Sequence, residues 1–475
     1  MGSYTRQQLD AFLSARDIAV VGASPNNRWF GNILYNARKA GFEGRFYPVN
    51  PKVEELNGIR TYRSIGDLPD ATIDLAMLLV KSSVVMESIE MLRAKGITNV
   101  VLISSGFAET GEEGQQLQEQ LRQYCTKHGI VLMGPNCLGF INLTEKVGAF
   151  CGTAVEGKLI PGAVGIVGQS GAISEAIITK ILKKSVGVSL YLTTGNESML
   201  QAEDCIEYLL HDEYTRVIVC FIEEFRNVQK LKQAASEAAR RKIPIIILKI
   251  GRSAKGSKVA VSHTGALAGN DTIVDGLIKQ LGIIRVETIE ELTETATIFS
   301  RCRLPEGKGL GICTFSGGFC GLYADLCEKY GIELPSLQEK TIQKLTSLLP
   351  GYARPDNPLD VTGSGLNREL DKIVLSMLED ENLDIVAPIF IPPQGDEDPL
   401  RFVNESYLPL TGSTVKPVIP IIFREMTQSA EEDLRDRGLY FIENPGIGFK
   451  ALSHLIRYAE FIQRSREGSE SASPD

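Results

Sequence analysis

The sequence predicts an α/β protein built from three Rossmann-like or flavodoxin-like parallel-sheet domains in series. One device, an apolar strand followed by a glycine-bearing turn and a helical stretch, occurs three times, starting near residues 17, 163 and 309. Alternating apolar strands and helical stretches follow each copy, which is typical of doubly wound parallel sheets. At 475 residues the chain also exceeds the roughly 250–300 residues that one hydrophobic core supports.

The first domain is predicted over residues 1–145, where "DIAVVGAS" opens a sheet continued by "FYPVN", "IDLAMLLV", "NVVLISS" and "GIVLMG". The second, residues 146–303, starts from "AVGIVGQSGAIS" and continues with "SLYLTTG", "RVIVCFIEE" and "IPIIILKIG". The third, residues 304–465, starts from "GLGICTFSGGFCG" and continues with "DIVAPIFIPP" and "KPVIPIIFRE". The polar residues 466–475 are expected to be disordered.

Composition excludes several classes of protein. The net charge of −9 argues against nucleic acid as a partner, since phosphate backbones require clustered Lys and Arg. The longest apolar runs, residues 243–248 and 385–391, are far shorter than the roughly 20 residues of a membrane helix. The chain has nine cysteines without a CxxC pair, four scattered histidines, and an N-terminus without the apolar region of a signal peptide. These features predict a cytoplasmic protein with reduced thiols and no metal site.

The first glycine turn is a candidate ligand site, because ligands of open parallel sheets bind at the carboxyl ends of strands. It contains Gly22, Ala23 and Ser24, and the dinucleotide fingerprint GxGxxG is absent. The second strand ends in Asn50 and Lys52, where a nicotinamide-dinucleotide site would have an acid for the ribose. A lysine suits a phosphorylated ribose, as in coenzyme A, although a tight strand-to-helix turn explains Gly22 equally well.

The second turn, Gln169–Ser170–Gly171, precedes a strongly helix-forming stretch. Helix N-termini bind anions through unpaired N–H groups and the positive end of the helix dipole. The turn is therefore a candidate phosphate site. A plain N-cap role for Ser170 is the alternative.

His263 lies in "SKVAVSHTGALAGND", among small residues that provide no bulk for packing. A displayed imidazole can act as a nucleophile, and small neighbours permit its loop to move. The alternative interpretation is a loop histidine without a catalytic role.

Seven motifs in order resemble the NDP-forming acyl-CoA synthetase family, specifically the α subunit of ADP-forming acetyl-CoA synthetase, with succinyl-CoA synthetase α as a more distant relative. The resemblance covers about residues 10–460. The motifs are "IAVVGAS", "YPVNPK", "ISSGFAETGEEG", "MGPNCLGFIN", "VGIVGQSGAIS", "LKIGRSAKGSKVAVSHTGALAG" and "NPLDVTG".

This resemblance implies that acyl-CoA, phosphate and ADP interconvert with a carboxylic acid, CoA and ATP, and that His263 carries the phosphoryl group. A segment large enough for an ATP-grasp fold is not expected, because the three predicted domains use the whole chain. A β subunit with an ATP-grasp fold, binding ATP or ADP with Mg²⁺, is therefore implied, in an assembly expected to be α2β2.

The resemblance also assigns roles to individual residues. Glu223 is expected to contact the histidine and fix its tautomer. The residues expected to bind CoA are Gly22, Ala23 and Ser24 at the diphosphate, Asn50 and Lys52 at the ribose phosphate, Ser104, Ser105 and Gly106 near the pantetheine, and Asn136 near the thiol. Gln169, Ser170 and Gly171 are expected to hold phosphate. The chain departs from the family pattern at Glu224, where glycine is usual, and at Lys81, where proline is usual.

The sequence disfavours two other functions. A CoA-sensing regulatory subunit without catalysis is disfavoured by the intact SHTG and QSG sequences, and a nicotinamide-dependent dehydrogenase by Lys52 and the missing fingerprint. The acyl group, the choice of ADP or GDP, the physiological direction, the roles of Glu224 and Lys81, and the oligomeric state are left open by the sequence.

Overall fold

The computed structural model describes residues 4–26, 28–70, 73–153, 155–253, 255–256, 271–365, 370–391, 415–425 and 427–470. The chain forms two compact units, residues 1–289 and 290–475. Among the described residues, the first unit contains a parallel sheet and a mostly parallel sheet, and the second unit contains a parallel sheet, which confirms the predicted fold class.

The first sheet follows the predicted strands. It is fully parallel, in the order β2-β1-β5-β6-β7. Its strands are β1 (Asp17–Val21), β2 (Arg45–Val49), β5 (Leu75–Leu78), β6 (Asn99–Leu102) and β7 (Val131–Met133), and β3 (Glu55–Leu56) pairs with β4 (Ile59–Arg60) as a separate ribbon. The helices are α1 (Arg6–Leu13), α2 (Trp29–Ala40), α3 (Val85–Ala94) and α4 (Glu112–His128), with 3₁₀ turns at Ile65–Asp67, Ser82–Val84 and Ala108–Thr110. Central strands such as β5 are wholly buried, because helices cover both faces of a parallel sheet.

The second sheet has the order β14-β13-β12-β10-β11-β8-β9, in which β8 alone is reversed, so that it pairs antiparallel with both β11 and β9. Its strands are β8 (Gly139–Asn142), β9 (Val147–Phe150), β10 (Pro161–Gly168), β11 (Val188–Thr193), β12 (Val217–Ile222), β13 (Ile245–Lys249) and β14 (Ile284–Val286). Its helices are α5 (Gly171–Lys183), α6 (Ala202–Leu210), α7 (Val228–Arg241) and α8 (Asp271–Gln280).

The hairpin of β8 and β9 spans the expected domain boundary at 145/146. Both strands extend the second sheet, because Gly139–Asn142 pairs with β11. Helix α2 of the first domain packs closely on β9, and a Cβ on Gly148 would lie 2.4 Å from the Cα of Ala37. The Asn36 amide donates to the carbonyl of Phe150 over 3.3 Å. The hairpin therefore fixes the first domain against the second.

The second unit contains a parallel sheet in the order β16-β15-β17-β18, within the described residues. Its strands are β15 (Leu310–Thr314), β16 (Leu359–Asp360), β17 (Ile385–Phe390) and β18 (Ile421–Ile422). Its helices are α9 (Ile289–Arg301), α10 (Gly317–Tyr330), α11 (Glu339–Leu348), α12 (Thr362–Gly365), α13 (Leu370–Leu378), α14 (Gln428–Asp436) and α15 (Pro445–Glu470). Buried Glu291 of α9 accepts from Lys450 and contacts the His454 ring nitrogen of α15, each over 2.9 Å.

All nine cysteines lie in the described part of the chain, and each is a free thiol. Among the described helices, none combines the length and the apolar character that crossing a bilayer would require.

Candidate functional site

A cleft of about 1370 Å³ lies within the first unit, between the carboxyl edge of the first sheet and helix α5. Residues of both sheet domains line it. From the first domain come the ends of β5 and β6 and the start of α2, and from the second come the ends of β10, β11 and β12. Because the carboxyl edges of two parallel sheets meet here, the cleft is the best-placed ligand site of this unit.

The first glycine turn needs its glycine. Gly22 has φ +85°, and a Cβ there would lie 2.8 Å from the carbonyl oxygen of Leu79. Asn50 joins this turn to the end of β2, since its amide donates to the Ala23 carbonyl over 2.6 Å and its Oδ1 accepts from the backbone N–H of Lys52 over 2.8 Å. The structure thus brings Gly22, Ala23 and Lys52 together, and it gives the Asn50 side chain a bracing role.

Lys81 and Lys52 flank this turn on opposite sides, because β1 lies between β5 and β2 in the sheet. Both lysines are exposed, and Lys81 lines the cleft together with Arg28 and Trp29 of α2. Lys52 is not among the lining residues. Of these two lysines, therefore, the one that lines the cleft is Lys81, whose role the sequence left open.

The segment after β6 combines cleft-lining and bracing residues. Ser104 and Ser105 line the cleft, and the Ser104 hydroxyl donates to the Val80 carbonyl. Gly106, at φ +101°, donates its N–H to Glu109 over 2.6 Å and is outside the lining. Hydrogen bonds from Asn196 and these backbone N–H groups outweigh burial and lower the pKa of Glu109. Ser105 is thus the member of this group with an exposed side chain at the cleft.

Asn136 and Cys137 follow β7. The Asn136 N–H donates to the Ser104 carbonyl over 3.0 Å, and its amide donates to Asn196 over 3.2 Å, which ties this loop to the segment after β11. Asn136 lines the cleft. Cys137 is buried, and burial raises its thiol pKa to about 12, which favours the protonated thiol and argues against a nucleophilic role.

The second glycine turn opens helix α5 into the cleft. Ser170 is its N-cap residue, yet its hydroxyl makes no capping hydrogen bond. Gly171 begins the helix, and a Cβ there would lie 2.7 Å from Leu138, so the turn needs this glycine for close packing. Ser170, Gly171 and Ala172 all line the cleft, which leaves a 13-residue helix with its N-terminal N–H groups facing this space.

Gln169 differs from its neighbours, because every N–H of this residue is already engaged. Its amide donates to Glu197 over 2.9 Å and to the Glu224 carbonyl over 2.7 Å, and its backbone N–H donates to the Phe221 carbonyl over 3.1 Å. Its Oε1 accepts from the N–H groups of Glu223 and Glu224 over 2.6 Å and 3.0 Å. Gln169 therefore braces the end of β10 against the end of β12 instead of offering a donor to phosphate.

Glu223 follows β12 and is buried at the wall of the cleft. Lys249 of β13 donates to its backbone carbonyl over 2.6 Å. Glu224 turns the other way and pairs with Arg226 over 2.9 Å, and burial raises its pKa despite that guanidinium. Of the two adjacent acids, Glu223 is the one that lines the cleft.

His263 lies within residues 257–270, which are outside the described residues.

Sequence reasoning missed several cleft residues. Arg28 and Trp29 begin α2, Glu197 follows β11, and Arg226 follows β12. The signal that could have found Glu197 and Arg226 is their position, since both come a few residues after a predicted strand of the same sheet and hence at its carboxyl edge.

Two family models match the chain: one described as a CoA binding domain over residues 16–142, and one described as a succinyl-CoA ligase like flavodoxin domain over residues 161–299. An acetate–CoA ligase [ADP-forming] II subunit alpha from Pyrococcus furiosus is 33% identical over 96% of this chain and 98% of that protein. An acetate–CoA ligase [ADP-forming] I from Archaeoglobus fulgidus is 33% identical over 94% of this chain, which spans only 63% of its length.

A solved structure is also similar over nearly its whole length. It is a dinucleotide forming acetyl-coenzyme A synthetase 1 from Ca. Korarchaeum cryptofilum, in complex with phosphate and ADP. Its TM-score is 0.86 at 27% sequence identity, covering 98% of this chain and 99% of that one. The chain belongs to the ADP-forming acyl-CoA ligase family, in which it matches the α subunits from end to end.

Proposed function

We propose that this chain is the CoA-binding, phosphohistidine-carrying α subunit of an ADP-forming acyl-CoA synthetase, with His263 as the carrier. One observation supports this most strongly. A single cleft brings together the carboxyl edge of the CoA-binding domain, the N-terminus of α5 and the buried carboxylate of Glu223. A thioester, a phosphate and a histidine-orienting acid are the groups that the reaction needs in one place.

The proposed reaction has three balanced steps. Phosphate attacks the acyl-CoA carbonyl, so that the C–S bond breaks and acyl phosphate and CoA thiolate form. A neutral nitrogen of His263 then attacks phosphorus, releasing the carboxylic acid and leaving a phosphoramidate. The phosphoryl group finally passes to ADP on a partner subunit of ATP-grasp fold, where bound Mg²⁺ would neutralise phosphate charge.

The residues of this chain would stabilise the charge of the phosphoryl group and orient the reacting groups. The N-terminal N–H groups of α5 and the Ser170 hydroxyl would bind the phosphoryl oxygens. The Glu223 carboxylate would accept a hydrogen bond from one imidazole nitrogen, which leaves the other free to attack. Ser105 and Asn136, at the opposite wall of the cleft, would lie along the pantetheine arm. Lys52, with Gly22 and Ala23, would bind the phosphates of CoA.

Labelling tests the proposal directly. The chain is incubated with labelled phosphate and a panel of acyl-CoA thioesters, starting with acetyl-CoA, with and without an ATP-grasp partner. Acid-labile, alkali-stable label on the chain is the expected result, and it distinguishes phosphohistidine from a phosphoserine ester at Ser170 or Ser262. Label that survives acid would contradict the proposal.

Glu223→Gln is expected to slow phosphorylation of the histidine by about 10–100-fold, as the loss of an orienting group commonly does. The rate of label incorporation at saturating phosphate measures it. Glu224→Gln is the matched control, because Glu224 is not among the lining residues, although its ion-pair partner Arg226 is, and it should stay within about threefold of wild type. The reverse ranking of the two variants would assign the orienting role to Glu224.

Lys52→Glu is expected to weaken CoA binding by about 1–3 kcal/mol, the usual value of a charge-assisted phosphate contact. Trp29 provides the measurement, because it is the single tryptophan of the chain and lines the cleft, so its fluorescence reports ligand binding. The effect should disappear with 3′-dephospho-CoA. Lys81→Glu is the comparison: a 3′-phosphate-dependent loss in that variant alone would move the ribose phosphate to Lys81.

A further inference from the structure

Glu197 is a buried residue in the wall of the cleft. It lies in the loop after β11 with φ +57°, a left-handed conformation that is unfavourable for a non-glycine residue. Its side chain is 1% exposed. Its Oε1 accepts from the Thr194 hydroxyl over 2.8 Å and from the Ala202 N–H over 2.9 Å. Such an over-determined, strained position is typical of a residue held for function.

The other oxygen of Glu197 accepts from the Gln169 amide over 2.9 Å. This contact decides how the amide is oriented. With its NH₂ directed at Glu197 and at the Glu224 carbonyl, the amide must present Oε1 to the backbone N–H of Glu223, 2.6 Å away. Two consecutive hydrogen bonds therefore link the Glu197 carboxyl to the peptide group that carries Glu223.

We propose that Glu197 is a positioning residue for phosphoryl transfer: through the Gln169 amide it fixes the backbone of Glu223 at the cleft wall. This inference rests on the proposed function, because it gives Glu223 its role toward His263. Loss of the acceptor at position 197 frees the Gln169 amide to rotate, and Glu223 then loses the hydrogen bond that holds its peptide group. A misplacement of about 1 Å at an orienting group can slow a reaction by about 100-fold.

The hydrogen bonds of Glu197 determine which variant tests its role. Among the described residues, Glu203 of α6 and Arg226, whose Nε lies 3.8 Å away, are the charged groups that face it. Burial, followed by the Glu203 carboxylate, raises the pKa of Glu197. Both oxygens of Glu197 accept hydrogen bonds, whereas glutamine has a single acceptor oxygen, so Glu197→Gln keeps the size of the side chain but cannot accept both from the Gln169 amide and from the Ala202 N–H.

The test compares Glu197→Ala with Glu197→Gln in the full chain, using an acyl-CoA that labels the wild type. We expect Glu197→Ala to slow acid-labile labelling by about 10–100-fold at saturating phosphate, without changing CoA affinity measured by Trp29 fluorescence. Glu197→Gln should also slow labelling, because it keeps the size of the side chain but removes one of its two acceptor oxygens. A slower labelling rate at unchanged CoA affinity separates positioning from a general structural role.

Thr215→Val is the matched control for lost stability. It removes buried hydrogen bonds to Ser189 and Asp212 in the same domain, away from the cleft lining, and should leave the labelling rate unchanged. Glu197→Ala labelling at the wild-type rate, or slowing no greater than in Thr215→Val at equal melting temperature, would overturn the inference. Glu197→Gln labelling at the wild-type rate would also overturn it. Absence of histidine label in the wild type would instead refute the proposed function.

Discussion

Replacing His263 by Asn is expected to abolish overall turnover and acid-labile labelling, while CoA still binds. Asparagine keeps a polar side chain of similar size but has no nucleophilic nitrogen, so no phosphoramidate can form. The CoA contacts proposed here come from the first domain and from residues before position 172, so they do not include this position. The expected loss is complete, because every cycle of the proposed reaction passes through the phosphohistidine.

Two measurements separate this result from misfolding. Trp29 fluorescence with CoA should give the wild-type dissociation constant in His263→Asn, and the melting temperature should be unchanged. Ser262→Ala is the matched control, because it removes the hydroxyl next to the histidine and should retain label. Acid-labile phosphate on the His263→Asn chain would mean that the carrier lies elsewhere.

The sheets were predictable from sequence because parallel strands buried on both faces read as short apolar runs between helices. The stretch "IDLAMLLV" illustrates this, since it contains β5 (Leu75–Leu78), whose four residues are all buried. The boundary at 145/146 was harder to place. The hairpin of β8 and β9 pairs with β11, some 50 residues later, and a short antiparallel edge pair carries no sign of which sheet it joins.

The hydrogen bonds of the Gln169 side chain could not be predicted from its sequence motif. Its position before a helix-opening turn predicts a phosphate contact, and that contact stays a prediction. The fate of its amide depends on β12, which pairs with β10 so that Gly168 lies opposite Phe221. Because that pairing joins residues about 50 positions apart, only the folded chain reveals that the amide is used to hold Glu223 and Glu224.

The third glycine turn looks like the first two in sequence but has a different environment. It begins α10, and the carboxylate of Asp360 lies 3.6 Å from where a Cβ on Gly317 would be. Asp360 also accepts from the Thr362 N–H over 2.8 Å. A carboxylate of the chain itself thus complements this helix N-terminus, whereas Ser170 and Gly171 at α5 face open space. Similar sequence patterns therefore have different surroundings, which the neighbouring strand determines.

ATP formation is expected to depend completely on a partner subunit. The purified chain alone is expected to form no ATP from acyl-CoA, phosphate and ADP, and adding an ATP-grasp subunit should restore turnover. The chain spans 98% of the Pyrococcus furiosus alpha subunit but 63% of the Archaeoglobus fulgidus ligase, so about a third of the latter has no counterpart here. The described residues of this chain form mostly parallel sheets. We propose that the nucleotide-binding ATP-grasp fold belongs to the part of the Archaeoglobus fulgidus ligase that has no counterpart here.

A coupled assay for ATP, run with the chain alone, with the partner alone and with both, measures this dependence. Label on His263 should form from acyl-CoA and phosphate and remain on the chain until the partner and ADP are added, because the phosphoramidate has no acceptor before then. The His263→Asn chain with the partner is the matched control and should produce no ATP. Turnover by the single purified chain, after any co-purifying ATP-grasp protein has been removed, would show that this chain binds and phosphorylates ADP itself.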